Sequence, residues 1–182
     1  AYSKNLFDES FAAEMDRGKI KVNEFYQTSV PNIYAAGDVI GGIQLAHTAT
    51  AEAINAVCHM LGKEMIYETS LIPSCVYTNP EIASVGMTAD EAKKLGQKVI
   101  SLKYPMGANG KTVLSLQERS FVKVIVEAET NRILGAQMMC ARATDMISQF
   151  TQAIANKMTL ADMKKVIYPH PTFSESIGKV IE

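Results

Sequence analysis

The sequence predicts an α+β fold in which an antiparallel sheet is flanked by helices and is preceded by a shorter segment of strand and helix. Three observations predict it. Several segments rich in Val, Ile and aromatic residues, as in strands, lie between residues 74 and 140. Helical patterns stand beside these segments in irregular order, which favours an antiparallel sheet. The 182 residues, 47% of them hydrophobic, suffice for one compact domain and part of another.

The shorter segment comes first along the chain. Residues 18–23 alternate polar and apolar side chains, which predicts a strand exposed on one side. Residues 33–36 are an apolar run that ends at Gly37 and Asp38, which predicts a buried strand opening into a loop. Over residues 45–61 the apolar side chains recur at spacings of three and four, which predicts a helix that stops near Gly62.

The pattern breaks over residues 63–73, and we place a domain boundary there, which gives domains 1–68 and 69–182. A hairpin turn is predicted at residues 130–132, between the last two strands of the second domain. The strands predicted for that domain are residues 74–77, 82–85, 99–104, 121–127 and 133–140.

Helices are predicted between and after these strands. Residues 88–91 read TADE, a capping box that opens a short helix stopping at Gly96. The apolar residues of segment 146–158 lie on one helical face. Residues 159–162 are a second cap candidate, before a helix that would end near Pro169.

Charge and composition argue against several kinds of partner. With 18 Lys+Arg against 19 Asp+Glu, the net charge of -1 supplies no basic field for nucleic acid or an anionic membrane. No stretch approaches the roughly 18 consecutive apolar residues of a membrane span, and the N-terminus has no secretory signal pattern. The scattered cysteines and histidines give no metal-ligand spacing. We therefore expect a cytoplasmic protein without a metal, nucleic-acid or membrane partner.

Four stretches occur in an order that carries a family resemblance. They read TSVPNIYAAGD over residues 28–38, LAH over 45–47, YTNPEIASVG over 77–86 and HPTFSE over 170–175. In this order they resemble the C-terminal part of the pyridine nucleotide-disulfide oxidoreductases, and LAH favours the branch that oxidises dihydrolipoamide. The resemblance implies that residues 1–68 are a remnant of an α/β FAD-binding domain and that residues 69–182 are a dimerisation domain. A homodimer through residues 69–182 is therefore expected.

The resemblance also implies which residues face the flavin. Asp38 would accept a hydrogen bond from the ribityl chain of FAD, and Gly37 would let the backbone approach the cofactor because it has no Cβ. Leu45, Ala46 and His47 would begin a helix whose N-terminal N–H groups face the flavin ring. Taken alone, an apolar run followed by Gly-Asp is also a common turn, and His47 an ordinary helix-start residue.

His170 and Glu175 are the candidate catalytic residues. Disulfide exchange needs a thiolate, and a free thiol with a pKa of about 8.5 is mostly protonated at neutral pH, so a base is required. A histidine can take and return that proton, and a carboxylate on its far ring nitrogen would orient it. The resemblance implies these roles for His170 and Glu175, together with a cis His170–Pro171 bond. The residues alone leave an alternative open, in which Glu175 only caps a helix.

Two positions depart from the family's pattern. Asn79 stands where the dihydrolipoamide branch usually has His, and Tyr168 stands where small or polar residues are common. Tyr168 lies two residues before His170, so the departure bears on the shape of the substrate site.

Several parts of such an enzyme do not occur in this sequence. They are a G-x-G-x-x-G turn for the FAD pyrophosphate, a C-x-x-x-x-C redox pair and a second dinucleotide fold for NAD. We therefore expect a piece of a longer enzyme that uses FAD and NAD and oxidises dihydrolipoamide, and we expect the piece to be inactive alone without tightly bound FAD. Two alternatives stay open: a glutathione-reductase-like or other disulfide reductase of the same family, and a non-catalytic dimerisation module.

Overall fold

The computed structural model describes residue 3, residue 8, residues 13–117 and residues 120–182. The chain divides into two compact units, residues 1–69 and residues 70–182. The N-terminal residues that lack a secretory signal pattern lie largely outside the described residues.

The first unit is built around one helix. This helix, α1, spans Ala46–Met60 and confirms the prediction for residues 45–61. A 3-10 turn, Gly37–Ile40, packs against it. Strands β1 (Met15–Asp16) and β2 (Lys19–Ile20) form an antiparallel hairpin, so the strand predicted over residues 18–23 is only two residues long.

Residues 33–36 do not form the predicted buried strand. Tyr34 makes one isolated bridge, to Gln27, and the segment is half-buried. A buried strand needs ladder hydrogen bonds to neighbouring strands along its length, and the described residues supply only that bridge. The prediction of a strand is therefore wrong for this chain, although the apolar run does lead into the turn at Gly37.

The second unit contains a sheet of five strands in which every neighbouring pair is antiparallel. The spatial order is β3-β4-β7-β6-β5. The antiparallel sheet predicted from the sequence is confirmed. The first and last residues of each predicted strand agree with those of the observed strand to within one residue. The observed strands are β3 (Ser74–Val76), β4 (Glu81–Gly86), β5 (Val99–Pro105), β6 (Phe121–Glu127) and β7 (Ile133–Cys140).

One face of the sheet forms the core of this unit. Val122, Val124 and Val126 alternate along β6 and are 0% exposed, as period-two strand geometry requires for residues that share a face. They belong to the same buried cluster as Ile147 and Phe150 of the long helix that packs on β4 and β7. Burial of these side chains against a helix supplies the main stabilisation of the fold.

Two capping boxes are formed as predicted. Helix α2 (Ala89–Lys94) has the box of Thr88 and Glu91. Helix α5 has the box of Thr159 and Asp162. The other helices of this unit are α3 (Gly110–Leu114), α4 (Ala143–Ala155) and α6 (Glu175–Val180).

Helix α5 is only Leu160–Met163, so the prediction of a helix ending near Pro169 is wrong. Val166 and Ile167 follow it and are 47% and 93% exposed. A longer helix would therefore have no apolar face packed on the core, and a short helix is not stable in water without such packing. The chain between α5 and α6 is a loop, and this loop carries His170.

Helix α4 is capped by a residue from another element. Its own N-cap position is Arg142, which has a φ of 62° and makes no side-chain cap bond. Instead, one carboxylate oxygen of Glu81 on β4 accepts hydrogen bonds from the N–H of Thr144 at 2.9 Å and from its hydroxyl at 2.6 Å. This contact ties the start of α4 to the sheet.

Candidate functional site

The loop before α6 brings the two predicted catalytic residues together. The Nδ1 atom of His170 lies 2.9 Å from Oε1 of Glu175. The side chain of His170 is 78% exposed and that of Glu175 is 24% exposed. The pair therefore presents its imidazole outward and keeps its carboxylate against the protein.

The second oxygen of Glu175 has a different partner. Oε2 accepts a hydrogen bond from the backbone N–H of Thr172 at 2.8 Å. This bond and the one to His170 hold the pKa of the Glu175 carboxyl below its ordinary value, with the Thr172 N–H the larger cause. Glu175 thus binds backbone and pairs with His170 at the same time. The capping box that the sequence leaves open is not formed, because Glu175 is the first residue of α6 and the N-cap residue, Ser174, makes no side-chain cap hydrogen bond.

Further contacts shape the backbone around His170. The hydroxyl of Thr172 donates to the carbonyl of Pro169 at 2.7 Å. The His170–Pro171 peptide bond is cis, as the resemblance implies. The buried side chain of Asn109 donates from Nδ2 to the carbonyl of Thr172 at 3.0 Å. The imidazole is therefore held by a loop that is bonded at several points.

Tyr168 packs on the helix that carries Glu175. A Cβ added to Gly178 would lie 2.9 Å from the ring of Tyr168, so only a glycine leaves room for this ring. Burial raises the pKa of the Tyr168 phenol. The residue that departs from the family's pattern is thus part of the packing between the loop and α6. Neither Asn109 nor Gly178 was singled out by sequence reasoning, and no local pattern marks them.

The first unit contains the predicted flavin-facing residues. Gly37 begins the 3-10 turn with a φ of 78°, and a Cβ there would lie 2.9 Å from Cβ of Ala49 on α1. The N–H of Gly37 donates to Oε2 of Glu52 on α1 at 2.7 Å. Glu52 is 8% exposed, so a buried carboxylate fixes the turn that presents the exposed Asp38.

Glu52 was missed by sequence reasoning, although a signal for it existed. It lies on the buried face of α1 with Ala51, Asn55 and Ala56, where a charged residue is costly unless it is paired. A glutamate on the apolar stripe of a predicted helix indicates a partner in a neighbouring element.

The N-terminus of α1 is the third part of this region. Its N-cap residue, Leu45, is extended, with a φ of -131°, and makes no side-chain cap hydrogen bond. Ala46 and His47 follow and are exposed. The first N–H groups of a helix carry a partial positive charge and favour negative charge nearby. The structure therefore joins Gly37 and Asp38 to α1 in one unit, and His170 to Glu175 in the other.

Neither a thiol pair nor a metal cluster is present among the described residues. Cys58, Cys75 and Cys140 are all free. Burial raises the pKa of the Cys140 thiol to about 12, so it is not a thiolate at neutral pH. Within residues 13–117 and 120–182, no group of three or more His, Cys, Asp or Glu is arranged to hold a metal ion. In the same part of the chain, no helix is long and apolar enough to cross a membrane.

Comparison with known proteins decides the family. Residues 72–181 match the family model described as the dimerisation domain of the pyridine nucleotide-disulphide oxidoreductases. The chain belongs to the pyridine nucleotide-disulphide oxidoreductases. A second model of this family matches residues 2–53.

Relatives within this family are longer than the chain. It is 44% identical over 165 residues to a dihydrolipoyl dehydrogenase of Bacillus subtilis, covering 90% of the chain and 35% of that protein. It is 36% identical over 176 residues to the mitochondrial dihydrolipoyl dehydrogenase of Homo sapiens, covering 96% of the chain and 35% of that protein. The chain therefore spans about a third of the length of these curated relatives.

Two solved structures resemble this fold. LpdA from Mycobacterium tuberculosis gives a TM-score of 0.91 at 25% identity, covering 98% of this chain and 39% of that one. The HOCl-induced flavoprotein disulfide reductase RclA from Escherichia coli gives a TM-score of 0.83 at 27% identity, covering 92% of this chain and 39% of that one. The likeness thus extends over both units of the chain.

Proposed function

We propose that this chain is the C-terminal part of a cytoplasmic enzyme that oxidises dihydrolipoamide and passes the electrons to NAD+. The relatives named dihydrolipoyl dehydrogenase support the substrate, and the match to a dimerisation domain supports a homodimer through residues 69–182. We propose the domain boundary near residue 68, between the flavin-facing segment and the dimerisation domain. The observation that carries the proposal is the hydrogen bond between His170 and Glu175.

In this proposal His170 is the base. Its Nδ1 faces Glu175 at 2.9 Å, so Nε2 is the nitrogen that can take a proton from a thiol of dihydrolipoamide. The resulting thiolate attacks one sulfur of the enzyme's redox disulfide, a new S–S bond forms, and the other cysteine sulfur leaves as a thiolate. Glu175 stabilises the imidazolium that holds the proton until it is returned.

Glu175 suits this role because its charge is secured independently of His170. The N–H of Thr172 is the larger cause of its lowered pKa, so the carboxylate is ionised at neutral pH even when the imidazole is neutral. An ionised partner keeps Nδ1 protonated in the neutral imidazole and thereby leaves Nε2 as the acceptor.

The residues at Gly37, Asp38 and the start of α1 fit an FAD. Gly37 lets the turn pack against Ala49 of α1, Asp38 offers an exposed carboxylate to a ribityl hydroxyl, and the N-cap residue of α1, Leu45, makes no side-chain cap hydrogen bond. When bound, FAD supplies the two-electron acceptor between the thiol pair and NAD+. Ala46 and His47, which follow Leu45, would direct backbone N–H groups toward it, where the positive end of the helix dipole favours negative charge. The N–H of Leu45 itself donates to the carbonyl of Ile43 at 3.1 Å.

The test is His170→Gln in the full-length enzyme. We expect reduction of the enzyme by dihydrolipoamide to slow by about 10²-fold or more, because the thiol loses its base. Reduction of the same variant by NADH is the internal control and should keep its wild-type rate. Unchanged reduction by dihydrolipoamide would remove His170 from the chemistry. The assignment of the substrate has its own test. It would be wrong if the full-length enzyme reduced glutathione disulfide with NADPH and formed no NADH from dihydrolipoamide.

A further inference from the structure

Asn109 connects helix α3 to the loop that carries His170. It is 3% exposed and is the N-cap residue of α3. Its Oδ1 accepts hydrogen bonds from the N–H of Thr112 at 2.9 Å and from its hydroxyl at 3.1 Å. Its Nδ2 donates to the carbonyl of Thr172 at 3.0 Å. One buried amide therefore joins two segments that are 63 residues apart in sequence.

The carbonyl that Asn109 binds belongs to the residue that holds Glu175. Thr172 donates its N–H to Oε2 of Glu175 at 2.8 Å, and Oε1 of the same carboxylate lies 2.9 Å from Nδ1 of His170. Asn109 fixes the peptide group after Thr172, and Glu175 fixes the peptide group before it. A continuous series of hydrogen bonds thus runs from α3 to the imidazole.

Helix capping alone does not account for this arrangement. Capping requires only an acceptor, and Asn and Asp serve equally well at an N-cap. The donor half of the amide is buried with a partner from a distant segment, and losing it would leave the Thr172 carbonyl without this donor at considerable cost. Only a side chain with both an acceptor and a donor meets both requirements, and Asn has them on one short planar group.

We propose that Asn109 is a positioning residue for the His170–Glu175 pair. By holding Thr172, it keeps Glu175 directed at Nδ1 of His170, and so keeps Nε2 as the nitrogen that accepts the thiol proton. The proposal deepens the proposed function and rests on it for the role of His170, but the geometry it predicts can be measured without catalysis.

The decisive variant is Asn109→Asp, because it keeps the acceptor that caps α3 and removes the donor to Thr172. The readout is the tautomer of neutral His170, observed by long-range proton–nitrogen NMR on the 182-residue chain. We expect the Nδ1–H form to dominate in the wild type and to become the minority form in Asn109→Asp, since Glu175 no longer faces Nδ1. Asn109→Ala should shift the His170 tautomer in the same direction. If Asn109→Ala does not fold, the result for Asn109→Asp alone decides the test.

The matched control is Asn55→Ala in the other unit. Asn55 is 1% exposed and its side chain also makes three hydrogen bonds, to the backbone of Ile66 and Tyr67. Its loss should lower stability without changing the His170 tautomer. An Nδ1–H form that stays dominant in Asn109→Asp would overturn the proposal, as would an equal change in Asn55→Ala.

Kinetics of the full-length enzyme separate this proposal from the one it rests on. Asn109→Asp should lower kcat for dihydrolipoamide by up to about 10²-fold while KM changes little, because the base is misplaced but substrate binding is kept. If His170→Gln leaves turnover intact while Asn109→Asp still shifts the tautomer, the positioning role stands and the catalytic role of His170 fails. If His170→Gln slows the reaction and Asn109→Asp changes neither tautomer nor kcat, the positioning role fails.

Discussion

At the scale of single residues, Glu175 uses its two carboxylate oxygens for different partners. One oxygen binds the Thr172 N–H and the other faces His170, so the residue is both a backbone anchor and the partner of the proposed base. The family resemblance implied the pairing with His170, whereas the local sequence left open that Glu175 only binds backbone at the start of a helix. The structure shows that one carboxylate accommodates both.

The lowered pKa of Glu175 has a consequence for stability. A carboxyl group whose pKa is lower in the folded state than in the unfolded state stabilises the fold at pH values above its unfolded-state pKa. This contribution is lost as the pH falls through the folded-state pKa. We expect Glu175→Gln to be less stable than the wild type near neutral pH and the difference to narrow on acidification below the ordinary value of 4.5. Thermal unfolding measured over this pH range checks it.

Glu129 offers a matched control for that measurement. Its side chain is 75% exposed and lies 3.5 Å from Lys98 on the surface. Glu129→Gln should follow the wild-type pH dependence closely, since exposed ion pairs contribute little. A Glu175→Gln difference that stays constant from neutral to acidic pH would contradict the account of how Glu175 is held.

At the scale of elements, the cap of α4 by Glu81 shows a contact that no local pattern reveals. Glu81 and Thr144 lie 63 residues apart and meet because β4 and α4 pack together. We expect Glu81→Ala to lower the free energy of unfolding by about 1–2 kcal/mol, because the first turn of α4 loses its acceptor. Urea unfolding of the 182-residue chain measures it.

Asp145→Ala is the comparison for that variant. Asp145 lies in the first turn of the same helix, and its exposed carboxylate pairs with Arg142 at 3.2 Å. Asp145→Ala should lower the free energy of unfolding by less than half as much as Glu81→Ala does, because exposed ion pairs contribute little. Equal losses would mean that Glu81 contributes no more than a surface charge does.

Elements whose pattern reflects their own burial could be predicted from the sequence. Strands at residues 121–127 and 133–140 have the predicted bounds because their side chains alternate between the core and the opposite face. The capping boxes at Thr88 and Thr159 could be predicted because the hydrogen bonds of each box close within one helical turn.

Elements that depend on distant partners were missed or misjudged. Residues 33–36 have the composition of a buried strand but lack neighbouring strands among the described residues, and the helix after Thr159 ends early for want of a face to pack. At the site, His170 and Glu175 could be predicted from the four ordered stretches that carry the family resemblance. Asn109 and Gly178 could not, because each acts through a contact with another segment of the chain. Glu52 was missed, although its place on the buried face of α1 indicated a partner in a neighbouring element.

At the scale of the whole molecule, the chain spans about a third of the length of its curated relatives, and this share includes the matched dimerisation domain. We expect the 182-residue chain to sediment as a dimer and to remain colourless after gel filtration with added FAD, since it carries only part of the proposed FAD contacts. Analytical ultracentrifugation and the absorbance of the eluted protein measure both properties. A monomer would contradict the proposed interface. A yellow protein would contradict the expectation that this chain does not bind FAD tightly.

We propose further that, in the homodimer, His170 of one subunit serves the redox cysteine pair of the other, as the family resemblance implies, and mixed dimers of the full-length enzyme test this claim most directly. One subunit carries His170→Gln with its cysteine pair intact, and the other keeps His170 but lacks the pair. Two affinity tags isolate the mixed dimer, in which only a site built across the interface has both groups. The account predicts that this dimer oxidises dihydrolipoamide much faster than either parent homodimer. A mixed dimer no faster than its parents would contradict it.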